Sequence, residues 1–264
     1  MSLPTLKVKE RLLRFIDTHA HLTSEALLPS LDAILSRARA AQLQRIVNIC
    51  TDRESLRQGL LLADKESWIS NAGATTPHDV EKEGEAYFSY FEQAALEGKL
   101  VAVGETGLDY HYEHSNRKAQ QEFLVRYLHL AKRCRLPVIF HCRDAFADLF
   151  SITDREANGI SAVLHCFTGT VEEAKQVVDR GWMVSFSGIV TFKKSVALRK
   201  AAESVPLENL LIETDSPYLA PQSKRGKTNE PAFIAETAKC LAEIKGLSLE
   251  EMAEITAQNA ERIL

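Results

Sequence analysis

The chain has 264 residues, longer than a common domain yet close to the ~250 that one large unit of alternating strands and helices can occupy. Hydrophobic residues make up 45% and charged residues 26%, enough apolar material for a substantial core and no compositional pull toward disorder. The net charge of −4, with both signs interspersed, excludes a global positive field that would hold the chain along duplex DNA, and no apolar run approaches the ~20 residues of a membrane span.

Residues 1–14 form a charged lead-in with Lys7, Lys9, Arg11 and Arg14. Met1–Phe15 is too charged for the apolar core of a signal peptide, so a cytoplasmic location is expected. Beyond the lead-in, short β-branched runs alternate with segments whose apolar residues recur at three- and four-residue spacing. In chain order the reading is strand Phe15–Thr18, helix Leu31–Ala41, strand Arg45–Cys50, helix Glu54–Lys65, then strands Trp68–Thr75 and Leu100–Glu105. Helix Gln120–Arg133 follows, then strands Pro137–His141 and Ala162–His165, helix Glu172–Arg180, and strands Trp182–Ser187 and Leu210–Thr214. Pro231–Lys245 and Leu249–Leu264 close the chain as helices.

The strand-end residues 19, 50, 75, 105, 141, 165, 187 and 215 are 22 to 36 residues apart, each interval the length of one βα unit. Eight such units with right-handed crossovers predict a single-domain (β/α)8 TIM barrel over residues 15–264, with an open doubly wound sheet as the alternative. No linker, low-complexity tract or internal repeat divides the chain.

Asp17-Thr-His-Ala-His21 follows the first strand, and side chains two apart on extended chain point the same way, so His19 and His21 can grip one ion. Glu105, His141, His165 and Asp215 end strands four, five, six and eight after apolar runs. Imidazoles and carboxylates at the C-terminal rim of a barrel are the groups that bind zinc, manganese and related ions. Six of them exceed the three protein ligands that one open catalytic ion needs, whereas two ions about 3.5–4 Å apart share a bridging carboxylate. Two divalent ions are therefore expected: one on His19, His21, Glu105 and Asp215, the other on Glu105, His141 and His165, with Glu105 as the bridge. Asp215 has an oxygen to spare and is the candidate proton acceptor, so Glu105 and Asp215 are the candidate catalytic residues.

Loop cations follow strand five (Arg143), strand seven (Lys193, Lys194) and strand eight (Lys224, Arg225, Lys227), where a barrel holds phosphate. Tyr110, Tyr112 and Tyr218 are candidates to stack on a base, with loop surface or packing under Pro217 as the alternative for the last two. Asp109 and Asp144 are placed either to orient ligands or, for Asp144, to cap a helix. Five widely spaced cysteines without a C-x-x-C pair argue against both a disulfide framework and a thiolate site, and strand alternation turns Cys142 and Cys166 away from their histidine neighbours.

With these residues assigned, the sequence resembles the TatD family of metal-dependent deoxyribonucleases, among the amidohydrolase-like barrels. The matching stretches are Asp17-Thr-His-Ala-His21, Gly104-Glu-Thr-Gly-Leu-Asp-Tyr110, His141-Cys-Arg-Asp144, His165-Cys-Phe-Thr-Gly169, Phe186-Ser-Gly-Ile-Val-Thr-Phe-Lys193 and Glu213-Thr-Asp-Ser-Pro-Tyr-Leu-Ala-Pro221. The resemblance spans Phe15 to Leu264 and implies the same six metal ligands, Mg²⁺, Mn²⁺ or Zn²⁺ as the ions, and hydrolysis of DNA phosphodiesters from an end. It also favours Lys193 and Arg225, which lie in matched motifs, as substrate contacts beside Arg143, Tyr218 and His78. Ala74-Thr-Thr-Pro-His78 departs from the family's Gly-x-His-Pro-His in carrying Thr76 for a histidine, while His78 is kept. Gln222-Ser223-Lys224 changes a loop that more often holds a proline.

The function expected is that of a monomeric 3′–5′ exodeoxyribonuclease acting on single-stranded or frayed DNA ends, with no membrane partner. A bimetal water attacks carbonyl carbon as readily as phosphorus, so an amide or ester hydrolase, such as an aminoacyl-tRNA deacylase, is the rival reading. A non-catalytic nucleic-acid- or protein-binding barrel is a second alternative.

Overall fold

The computed structural model describes residues 13–112 and 114–264; most of the expected lead-in, residues 1–12, lies outside them. Eight strands, β1 (Phe15–Ala20), β2 (Leu43–Cys50), β3 (Ile69–Gly73), β4 (Ala102–Asp109), β5 (Val138–Arg143), β6 (Ala162–Leu164), β7 (Met183–Phe186) and β8 (Leu210–Ile212), pair in sequence order. All seven neighbouring pairs are parallel. The helices are α1 (Leu31–Ala40), α2 (Arg53–Lys65), α3 (Val80–Leu96), α4 (Arg117–Cys134), α5 (Phe146–Glu156), α6 (Val171–Asp179), α7 (Val196–Ser204), α8 (Ile234–Lys245) and α9 (Leu249–Ile263). The expected (β/α)8 barrel is the fold.

Two apolar layers hold it. Inside the barrel, Ile16, Val47, Ile49, Ala72, Ala102, Ile139, Val163, Met183 and Leu211 form one cluster, closed from below by Ala257 and Ala260 of α9. Every strand contributes to this plug, and where β2 gives two residues, Val47 and Ile49, they are two apart, as period-two geometry requires. The other faces of the strands pack on the helices in a larger cluster that includes Phe91, Phe123, Leu124, Tyr127 and Leu241.

Helix starts follow local chemistry. Asp52, Thr170 and Ser248 close capping boxes with Ser55, Glu173 and Glu251 at the heads of α2, α6 and α9. The closure between β1 and β8 differs from the other seams. A single bridge, Ala20 to Ser216, stands there, with Asp215 N–H donating to His19 O at 2.8 Å and His21 N–H to Ser216 O at 2.7 Å. Side chains complete the seam: Asp17 Oδ1 accepts from Thr214 N–H at 2.9 Å, Asp17 Oδ2 from Thr214 Oγ1 at 2.5 Å, and Thr18 Oγ1 donates to Ile212 O at 3.0 Å.

Candidate metal centre

Strand irregularities aim the candidate ligands. Ile16 points into the barrel plug and Thr18 Oγ1 meets Ser185 Oγ at 3.2 Å, so plain alternation would turn His19 outward. The register of β1 against β2 shifts between Asp17 and Ala20, where three residue steps oppose two. This bulge reverses the parity, and His19 and His21 both face the barrel mouth. The same device acts in β4: Ala102 belongs to the plug, the register against β5 shifts between Val103 and Thr106, and Glu105 thereby turns inward. His141 and Glu213 need no such correction, being two residues beyond the plug members Ile139 and Leu211. Asp215 and Cys166 take left-handed backbone, φ 57° and 43°, at the ends of β8 and β6.

The six expected ligands converge. Glu105 Oε1 lies 2.9 Å from His141 Nδ1 and 3.0 Å from His165 Nε2, while its Oε2 lies 3.5 Å from His19 Nε2 and 3.8 Å from His21 Nε2. Asp215 Oδ1 stands 3.7 Å from His19 Nε2 and 3.5 Å from His21 Nε2. Ligand atoms within 4.8 Å of one another form the groups His19–His21–Glu105, Glu105–His141–His165 and His19–His165–Asp215. The His19 and His165 rings also stack, centroids 3.9 Å apart.

Protein groups alone satisfy this cluster poorly. Burial pushes His19 down to about 4 and leaves its Nδ1 without a hydrogen-bond partner. Two imidazole nitrogens, His19 Nε2 and His21 Nε2, face each other at 3.3 Å. Burial would also lower His165 and raise Glu105, yet their mutual attraction overrides it, holding the imidazole well above and the carboxyl well below their ordinary values. Imidazole nitrogens and carboxylate oxygens crowded in this way fit divalent cations, the group that the ligand chemistry implies.

The mouth above is a cavity of about 470 Å³ lined by His78, Tyr112, Arg143, Tyr218 and every candidate ligand but the fully buried His19, among others. Of the expected substrate contacts, Arg143, His78 and Tyr218 thus border it; Lys193 and Arg225 are not among its lining residues, and Arg225 stacks on Phe192 at 4.9 Å. Tyr110 is engaged elsewhere, its hydroxyl donating to Asp148 at 2.7 Å and Arg117 lying 4.2 Å over its ring. Cys142 and Cys166 line the cavity, contrary to the alternation expected of them; at Cys166 the left-handed backbone after His165 breaks that alternation. A larger hollow of about 770 Å³ opens at the opposite end of the barrel beside Lys132, Arg135 and Arg262, and none of the six candidate ligands borders it.

Sequence reasoning passed over two residues. Asp17 joins β1 to β8 through Thr214 and also accepts from His19 N–H at 3.2 Å. Glu213, fully buried, faces His165 Nδ1 at 3.3 Å. An acid placed inside an apolar strand run was the available signal for both.

A closed parallel barrel with imidazoles and carboxylates gathered at its C-terminal mouth defines a metal-dependent hydrolase. Residues 16–264 match the family described as TatD related DNase, and the chain belongs to that family. It is 36% identical to the metal-dependent hydrolase YabD of Bacillus subtilis over 248 residues, covering 94% of this chain and 97% of the relative. It is 32% identical over 257 residues to a protein of Citrobacter rodentium named 3′-5′ ssDNA/RNA exonuclease TatD, with 94% and 96% covered. The crystal structure of YjjV, a TatD homologue from Escherichia coli, superposes with a TM-score of 0.89 at 30% identity, covering 95% of this chain and 97% of that one. The protein is therefore an enzyme of the metal-dependent hydrolases that act on ester bonds. Among the described residues no helix is long and apolar enough to cross a membrane.

Proposed function

We propose that this hydrolase removes nucleotides from the 3′ end of single-stranded or frayed DNA, using residues 15–264 of one chain and two divalent cations. The observation that carries the reading is the division of Glu105: one oxygen faces His141 and His165, the other His19 and His21. Glu105 would then serve both ion positions, with His19, His21 and Asp215 completing one and His141 and His165 the other. When bound, a pair of dications acidifies water and neutralises charge developing on phosphate oxygens. Asp215 takes the proton of the attacking water, and Glu105 keeps the two ligand sets at fixed separation. Arg143, on the rim, pairs with the phosphate, and its guanidinium lies 5.3 Å over the Tyr112 ring, leaving Tyr218, 57% exposed, to stack on a base.

The DNase family and the exonuclease name carried by the Citrobacter relative support nucleic acid as the substrate. A mouth of this size under a chain of net charge −4 favours a strand end over the side of a duplex. The test is a turnover screen of end-labelled single strands, closed circular duplex, RNA and aminoacyl-tRNA with Mg²⁺, Mn²⁺ and Zn²⁺. Mononucleotides released from the 3′ end are expected. Faster cutting of closed circles than of linear single strands overturns the end preference, and release of amino acid without strand cleavage favours the ester-hydrolase reading.

A further inference from the structure

Behind the His141 and His165 rings stand carboxylates; behind His19, among the described residues, there is none. His141 presents Nδ1 to Glu105 and donates from Nε2 to Asp109 Oδ2 at 2.9 Å. His165 presents Nε2 to Glu105 and turns Nδ1 to Glu213 Oε1 at 3.3 Å. Asp109 and Glu213 are both fully buried, and backbone N–H groups hold each in place. Asp109 Oδ1 accepts from His111 at 2.9 Å and Tyr112 at 2.8 Å, and Glu213 Oε1 accepts from Cys166 at 2.7 Å. His19 Nδ1, by contrast, is buried without a hydrogen-bond partner.

A neutral imidazole carries its proton on one nitrogen and offers the other as a ligand, so an acceptor behind the ring decides which nitrogen meets the metal. The acceptor also makes the ligand nitrogen more basic and stops ring rotation. We infer that Asp109 and Glu213 are positioning residues of one ion position, that of His141 and His165, which they fix as the Nε2–H and Nδ1–H tautomers respectively. The inference rests on the two-ion reading above and adds that the two positions are built unequally. Asp109 further ties that position to the rim, since its Oδ1 holds the backbone of Tyr112 and its Oδ2, which meets His141, also lies 3.7 Å from His78 Nε2.

The test is calorimetric titration of metal-stripped wild type, Asp109→Asn and Glu213→Gln with Mn²⁺, paired with crystals grown at limiting Mn²⁺ and read by anomalous scattering. The wild type takes two ions. Each variant loses about 10–100-fold in affinity at one position, and density fades beside His141 and His165 while it persists beside His19 and His21. In a His141→Ala background, Asp109→Asn adds no further loss, because it acts through the missing ring. Equal weakening of both positions, or no weakening, overturns the inference. A wild type that takes fewer than two ions overturns the two-ion reading, and the inference with it. Should a variant fail to fold, nitrogen-detected NMR of the Zn²⁺-loaded wild type decides: the opposite tautomer at either histidine refutes the assignment.

Discussion

Besides Glu105, four acids in and around this centre differ in what their oxygens meet, and their roles divide accordingly. Asp17 spends both oxygens on Thr214 and the His19 amide; burial pushes its carboxyl up to about 7, and it joins strands rather than facing the ligand cluster. Asp109 and Glu213 sit behind histidines. Asp215 turns its Oδ1 toward His19 and His21. Asn keeps the size and one ligand oxygen of Asp215 but cannot take a proton. Asp215→Asn should therefore keep its metal at saturating concentration yet lose about 10²–10⁴-fold in kcat. His19→Ala should recover activity as metal is raised. A metal titration of kcat for both variants, with occupancy measured in parallel, checks this; full rescue of Asp215→Asn removes the base assignment.

Among the elements, β4 carries the most constraint. It places Glu105 and Asp109 four residues apart on the same side, and two glycines bring it against β5. A Cβ at Gly104 would lie 2.6 Å from Ile139 O, and one at Gly107, where φ is 147°, would lie 1.9 Å from His141 O. Neither obstacle is a flexible side-chain end; both are backbone of the strand that carries His141. Gly107→Ala should consequently cost about 3 kcal/mol or more and weaken metal binding, because β4 must move away from His141. Gly98→Ala is the control: its φ is 69° with open space around it, so about 1–2 kcal/mol of backbone cost is expected and no change in metal uptake. Urea unfolding and metal titration of the two variants settle the matter, and equal costs would show that the close approach carries no weight.

Across the barrel, the seam between β1 and β8 is the sparsest in backbone pairing, and three of the six candidate ligands flank it: His19 from β1, His21 from just beyond it, and Asp215 from beyond β8. An ion held by them would join the two ends of the sheet, and would then stabilise the closed barrel as well as serve chemistry. Saturating metal should raise Tm over the chelated protein: a concentration one hundred times Kd adds ~2.7 kcal/mol, and each kcal/mol moves Tm by ~2–4 °C at this size. The increment should shrink in Asp215→Ala. Scanning calorimetry with and without chelator measures it, and identical melting of loaded and stripped wild type would count against an ion at the seam.

Much of this was readable in one dimension. Eight strands at βα intervals follow from apolar periodicity, because each strand buries its side chains between plug and helices and so records that burial in its composition. The six candidate ligands stood out because a polar residue ending an apolar run is unusual enough to notice. Linear order could not show which way each pointed. His19 and Glu105 face inward because bulges in β1 and β4 reverse strand parity, and a bulge is a property of pairing with a neighbour, invisible along a single strand. Cys166 escaped for a related reason, its left-handed backbone breaking the alternation used to place it. The partners of His141 and His165 were only half legible: Asp109 was a candidate to orient a ligand, but that the ligand is His141 follows from β4 lying beside β5, and Glu213, 48 residues from His165 in the chain, reaches it from the end of β8, two strands over from β6.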